Sequence, residues 1–372
     1  MASGARVRSK GRASPPLLLT TRQLDLQQTQ AGHQIRGSFG PAARTGEVTL
    51  LRDCDEVARA AVEGRANEIL RPPGALHRLD QIAVWLAGWQ RTSRPSVDHP
   101  AMVVFAADHG VCVEGISAFP SSVTAEVQRA LEAGVGTAAV MSRVLGVDFE
   151  VVDVGVGNPT ANLAVEAALT PARFAEAYRT GAAAVDRAAA QGADLVMFGE
   201  MGIGNTTAAA AVVAALFGGP VGQWTGRGTG IDDEALERKR DVVNRAVGRL
   251  IPDTPPREVL REVGGSELVA IAAGVERARE LSLPVILDGF IVTAAVAPLA
   301  VDQPGALDHC IAGHCSAEAG HRLLLEQLDL VPLLELNMRL GEGSGALAAL
   351  SLVKLAAAAV IDVATFAEWA AR

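Results

Sequence analysis

Five short apolar runs, each stopped by a glycine or an acid, restrict this chain to a narrow set of folds. They are MVVFAADHG (102–110), FEVVDVGVG (149–157), ADLVMFGEMG (193–202), LPVILDGF (283–290) and, less clearly, LDHCIAGH (307–314). Alanine-rich stretches of helical length lie between them. Short apolar strands alternating with helices mark an α/β fold whose mainly parallel sheet is buried on both faces. Upstream, Leu51, Val57, Ala60, Ala61 and Leu70 fall at helical spacings, the chain turns at Pro72-Pro73-Gly74, and Leu79, Ile82, Trp85 and Leu86 share one face of a second helix. Beyond residue 334 a glycine loop leads into one long predicted helix, Ala346–Arg372. The expected division is a flexible leader over 1–45, an α/β domain over 101–335, and a smaller helical domain built from 46–100 and 336–372.

Composition excludes several functions. Of the 372 residues, 49% are hydrophobic and 20% charged, enough for a large core and too apolar for a disordered chain. The net charge of −9 argues against nucleic acid as a partner, since such binders carry a basic face. Cys54, Cys112, Cys310 and Cys315 are too few for a disulfide scaffold of this length, which points to the cytoplasm. No membrane partner is expected either: the apolar run Thr206–Gly219 falls short of the roughly 20 residues a bilayer requires.

In open α/β sheets ligands bind beyond the carboxyl ends of the strands, and Asp108-His109, Asp153, Glu200, Asp288 and His314 stand there. The sharpest local signal is GEMGIGNTT (199–207), where a strand runs into glycines and then a helix start. Free N–H groups and the partial positive charge of that start suit a phosphate, although a plain N-cap after a tight turn uses the same residues. No Gly-Lys-Ser/Thr follows, and Thr207 breaks the dinucleotide spacing. A second glycine loop, MRLGEGSGALAAL (338–350), sets Glu342 between glycines ahead of a helix; a tight turn is the simpler account. In TGRGTGIDDEALERKRDVVNRAV (225–247) a glycine loop meets a charged helix, and Lys239 and Arg240 belong either to a site or to a solvated face. The run HCIAGHC invites zinc, but no second ligand pair accompanies it, so no metal is expected.

Taken in order, PPGALHRLDQIAVWLAGWQ, FAADHGVCVEGISAFPSSVTAEV, VVDVGVG, FGEMGIGNTT, GRGTGIDDEALERKRDVV, GGSELVAIAAGV, PVILDGFIVTAAV, AGHCSAEAGHRLLLEQLDLVPLLELNMRLGEGSGALAAL and ATFAEWA resemble one family. It is the nicotinate-nucleotide–dimethylbenzimidazole phosphoribosyltransferase family of cobalamin biosynthesis. The resemblance implies a Rossmann-like sheet with a small helical domain, a homodimer, and a reaction needing no metal or organic cofactor. That reaction moves the ribosyl phosphate of nicotinate mononucleotide onto a nitrogen of 5,6-dimethylbenzimidazole, with inversion at C1′, giving α-ribazole 5′-phosphate and nicotinate. It further implies Glu342 as general base, with Glu200 as a second carboxylate near the ribosyl ring. Phosphate and ribose would fall to Gly202, Gly204, Asn205, Thr206, Gly228, Lys239, Gly289 and Ser316. The base would fall to Ser117, Phe119, Met201, Leu340 and Glu126. In Val123-Thr124-Ala125-Glu126 the last residue replaces an amide common among relatives, which bears on base choice. Alternatives are the same chemistry on adenine, another benzimidazole or a phenol, or a non-catalytic nucleotide-binding relative.

Overall fold

The five apolar runs pair as one parallel sheet in a computed structural model that describes residues 52–372. The leader expected over 1–45 and the expected helix start near 46 lie outside those residues. In chain order the elements are α1 (Glu56–Glu68), α2 (His77–Gln90), β1 (Pro100–Ala106), α3 (Val123–Glu132), α4 (Thr137–Leu145), β2 (Asp148–Asp153), α5 (Pro171–Ala190), β3 (Leu195–Met201) and α6 (Asn205–Phe217). There follow α7 (Asp233–Gly248), α8 (Pro256–Val263), α9 (Ser266–Glu280), β4 (Val285–Leu287), α10 (Phe290–Asp302), β5 (Cys310–Ala312), α11 (His321–Gln327), α12 (Ser344–Ile361) and α13 (Phe366–Ala370).

Successive side chains of a strand point to opposite faces, and the two cores divide on that rule. Val103 and Phe105 of β1, Val196 and Phe198 of β3, and Val285 and Leu287 of β4 join a core with α5, α6, α9 and α10. Their alternates Met102, Val104, Leu195, Met197 and Ile286 join the opposite core with α2, α4 and α12. Both faces are therefore covered along β1, β3 and β4, while the edge strand β2 is partly exposed, which is why the central runs read as continuous apolar stretches. The strand order is β2-β1-β3-β4-β5. The chain reverses direction of winding between β1 and β3, the switch point where a doubly wound sheet opens a crevice. Their register sets Ala106 beside Met201, so the loops after both strands leave from one level.

Two sequence expectations change. The long C-terminal helix ends at Ile361, and α13 starts afresh after Thr365. Thr365 accepts from the Glu368 N–H while the Glu368 carboxylate accepts from the Thr365 N–H, a reciprocal cap that competes with continuation of α12. Among the described residues α12, not the segment at 206–219, is the longest apolar helix, with 18 residues. Its length serves the core, since Leu347, Leu350 and Val353 are fully buried, each worth about 1.5–3 kcal/mol. At its far end α12 meets α1 and α2 in a small cluster of Val62, Ala66, Ala83, Ala87, Val360 and Ile361.

Candidate active site

The loops after β3, β4 and β5 line a cleft partly open to solvent, a concave setting that suits a small molecule. The chain after α11 returns beside β5, where Cys315 N–H donates to Leu334 O and Ala317 N–H to Met338 O, both at 2.8 Å. This return lays Arg339, Leu340 and Gly341 along the cleft.

Part of the cleft wall joins a helix start to a buried cation. After β3 the chain turns through Gly204, whose φ of 97° L side chains rarely adopt, and α6 begins at once with Asn205 and Thr206. The N-terminal dipole of α6 therefore faces the cleft. From α7, Lys239 reaches in and donates to Thr206 Oγ1 at 2.8 Å and to Gly226 O at 3.1 Å. It is only 2% exposed, which overrules the solvated-face alternative for this residue. Burial pushes the Lys239 ammonium down to about 8, with the Glu318 carboxylate opposing that shift. Gly228 adjoins Thr206 and Lys239, and Arg227, Gly289 and Ser316 also line the cleft.

Acids stand beside this helix start. The Glu200 side chain lies in the cleft wall, buried, with Asn205 Nδ2 donating to it. Desolvation holds its carboxyl well above the ordinary range, and the charges of Asp288 and Glu267 add to that. Glu342 follows Gly341 with a φ of 61°, a strained setting for a residue with a side chain, costing about 1–3 kcal/mol. Its N–H donates to Glu200 O at 3.2 Å, so the two acids are tied through the main chain. Gly199 permits this contact: a Cβ there would stand 2.4 Å from Glu342 O. Burial raises the Glu342 carboxyl, and the Ala138 N–H at the start of α4, 3.3 Å from Oε2, partly offsets that.

The glycine loop is fixed from across the sheet. Asp288, at the end of β4, accepts from Gly345 N at 2.7 Å, Ala346 N at 2.9 Å and Gly343 N at 3.2 Å, and so caps α12 from another element. Asp288→Asn, which offers an amide NH₂ where one oxygen accepted, is expected to lower stability by about 1–2 kcal/mol. Thermal unfolding followed by circular dichroism checks this; an unchanged midpoint removes Asp288 as the cap.

Comparison with known proteins agrees with this architecture. A family model described as phosphoribosyltransferase matches residues 51–370. The nicotinate-nucleotide–dimethylbenzimidazole phosphoribosyltransferase of Ruegeria pomeroyi is 46% identical over 314 residues, covering 84% of this chain and 92% of that protein. The chain belongs to the nicotinate-nucleotide–dimethylbenzimidazole phosphoribosyltransferase family. The protein of that name from Methylorubrum extorquens is 44% identical over 337 residues, covering 89% of this chain and 97% of the relative. The crystal structure of CobT from Thermus thermophilus superposes with a TM-score of 0.81 at 43% identity, over 84% of this chain and 98% of the other.

Residues taken from the family pattern do not all meet. Glu200, Met201, Gly202, Gly204, Asn205, Thr206, Gly228, Lys239, Gly289, Ser316, Ser117 and Leu340 line the one cleft. Glu342 is not among the lining residues, and its Oε2 accepts instead from the Ala138 N–H at the start of α4. Phe119 is 48% exposed and Glu126 sits on the exposed face of α3, both outside the lining. In that helix it is Thr124 that turns inward, buried, its hydroxyl accepting from the Ile203 N–H at 3.2 Å. Of HCIAGHC, His309 is buried with Nε2 at 2.9 Å from Val275 O, while His314 reaches the cleft. Arg227, Glu318 and Arg339 also line it, and nothing in their local sequence separates them from surface charges.

Proposed function

We propose that this protein transfers the 5-phosphoribosyl group of nicotinate mononucleotide to a nitrogen of 5,6-dimethylbenzimidazole, giving α-ribazole 5′-phosphate and nicotinate. The reading rests on one cleft that sets the start of α6 and the buried Lys239 beside a buried carboxyl, Glu200. Family membership supplies the substrates. The C1′–nitrogen bond to the pyridinium ring breaks, its electron pair neutralises the nicotinate ring, and the attacking benzimidazole nitrogen bonds to C1′ from the opposite face. One displacement inverts the anomeric centre. The other benzimidazole nitrogen then sheds its proton to a carboxylate, which we assign to Glu342; holding both reactants aligned contributes further. Glu200, its carboxyl held well above the ordinary range, hydrogen-bonds the ribosyl hydroxyls. Ser117, Met201 and Leu340 form the slot for the base, and Phe119, whose N–H donates to Ser117 Oγ at 3.2 Å, lies beside it. The exposed apolar Phe119 and Leu340 support a homodimer that covers them.

A second assignment gives the proton to Glu200, because its carboxylate, unlike that of Glu342, stands in the cleft wall. The function is tested by incubating the protein with nicotinate mononucleotide and a panel containing 5,6-dimethylbenzimidazole, benzimidazole, adenine and a phenol, following nicotinate release and the coupled nucleotide. Stoichiometric release with dimethylbenzimidazole is expected. Release with none of the bases refutes the assignment.

A further inference from the structure

Two cleft residues predicted to hold the phosphate end, Gly289 and Ser316, follow adjacent strands that pair over only three residues. Those pairs are Val285 with Cys310, Ile286 with Ile311, and Leu287 with Ala312. Beyond them, a buried side-chain path connects the two loops. Ser316 N–H donates to His321 Nδ1 at 2.8 Å. A main-chain N–H can only donate, so Nδ1 is an acceptor and carries no proton. The proton of the neutral ring is then on Nε2, 3.1 Å from Thr293 Oγ1, which receives it as an acceptor. Thr293 directs its own hydroxyl hydrogen to Gly289 O at 2.9 Å. Every donor in the path has one acceptor, and the direction of each bond follows from the first.

His321 and Thr293 are both fully buried, with the rings of His314 and Phe290 edge-on to His321 at 6.1 and 6.2 Å. Burial pushes the imidazolium of His321 down to about 3, so Nδ1 stays an acceptor at working pH. Ser316 Oγ also lies 2.8 Å from Nδ1, whose single lone pair the main-chain N–H already occupies. The hydroxyl is thus the donor that can turn toward a ligand oxygen while the main chain stays fixed. Ser316 and Gly289 adjoin, since a Cβ on Gly289 would lie 3.7 Å from Ser316 Cβ.

We propose that His321 and Thr293 are positioning residues for the phosphate end of the cleft, holding Ser316 and Gly289 at a fixed separation through one directional hydrogen-bond path. This rests on the assignment of Ser316 and Gly289 to the phosphate end. Neither residue reaches the reacting atoms, so the effect belongs on nucleotide affinity rather than on the chemical step.

The test uses Thr293→Val, close in shape but without the hydroxyl, beside Thr293→Ser, which keeps it. Inorganic phosphate is titrated calorimetrically into each full-length protein, and KM for nicotinate mononucleotide, KM for the base and kcat are measured. Thr293→Val is expected to weaken phosphate and nucleotide roughly 3–10-fold, the worth of one buried hydrogen bond, with base KM and kcat moving less. Thr293→Ser is expected within about twofold of the parent. His321→Asn, which keeps an acceptor near Nδ1 and loses the donor to Thr293, should resemble Thr293→Val. Unchanged phosphate affinity in a folded Thr293→Val protein, or equal losses for both substrates, overturns the inference, as does a parent protein that binds no phosphate. A parent that binds phosphate but releases no nicotinate refutes the transferase assignment instead, and the titration still decides the role of the path.

Discussion

Glu342→Gln lowers turnover by about 10²–10⁴-fold and leaves nicotinate mononucleotide affinity close to that of the parent protein. The glutamine keeps the size of the side chain and an oxygen for the Ala138 N–H, so the loop after Gly341 is undisturbed. What it loses is the capacity to take a proton. Because burial raises the Glu342 carboxyl, the acidic limb of the rate profile should sit above the ordinary carboxylate range. Below that limb the group is protonated and idle; above it the carboxylate is available, so activity rises with pH. The limb should vanish in Glu342→Gln. Steady-state kinetics across pH on Glu342→Gln and Glu200→Gln separate the two assignments. If Glu200→Gln removes the limb and Glu342→Gln keeps turnover, Glu200 is the base; loss of nucleotide affinity with intact turnover in Glu342→Gln rules out either form of the base role for Glu342.

Lys239→Ala weakens nicotinate mononucleotide by roughly 10–150-fold, the range for a hydrogen bond to a charged group, with a smaller change in kcat. The ammonium is desolvated and already aimed by Thr206 Oγ1 and Gly226 O, so little ordering cost remains when a phosphate arrives. Its lowered value of about 8 fixes the sign of the pH effect. A phosphomonoester gains its second charge near pH 6. Affinity should therefore climb through about pH 6, hold, and fall as pH passes about 8, where the free protein loses the cation. In Lys239→Ala the alkaline fall should disappear. Calorimetric titration of the nucleotide across that range checks both limbs; an unaltered affinity leaves Lys239 as a packing residue of α7.

Much of the site was legible because its parts are local. The start of α6 announces itself as strand, glycines, Asn205-Thr206 and helix within one stretch, and a short stretch also contains the geometry of a turn. Lys239 was ambiguous in sequence, since a charged helix face looks the same whether or not one cation points inward. Asp288 could be read as an acid at a strand end, but not as the cap of α12, whose first residues lie more than fifty positions away. His321 and Thr293 carried no signal, because a relay of single hydrogen bonds has no spacing rule.

The sequence alone determined where the five strands fall and that the central ones would be buried on both faces, because apolar patterning and glycine punctuation act within a few residues of the chain. It also carried the family, through ordered blocks that no rearrangement of composition would reproduce. Only the tertiary structure decided that Lys239 faces the cleft, that the Glu342 carboxylate meets the start of α4 while Glu200 lines the cleft, and that Asp288 holds the late glycine loop. Those outcomes depend on strand order and on which loops leave the sheet at one level, and a linear pattern does not encode contacts between elements that meet only after the sheet has formed.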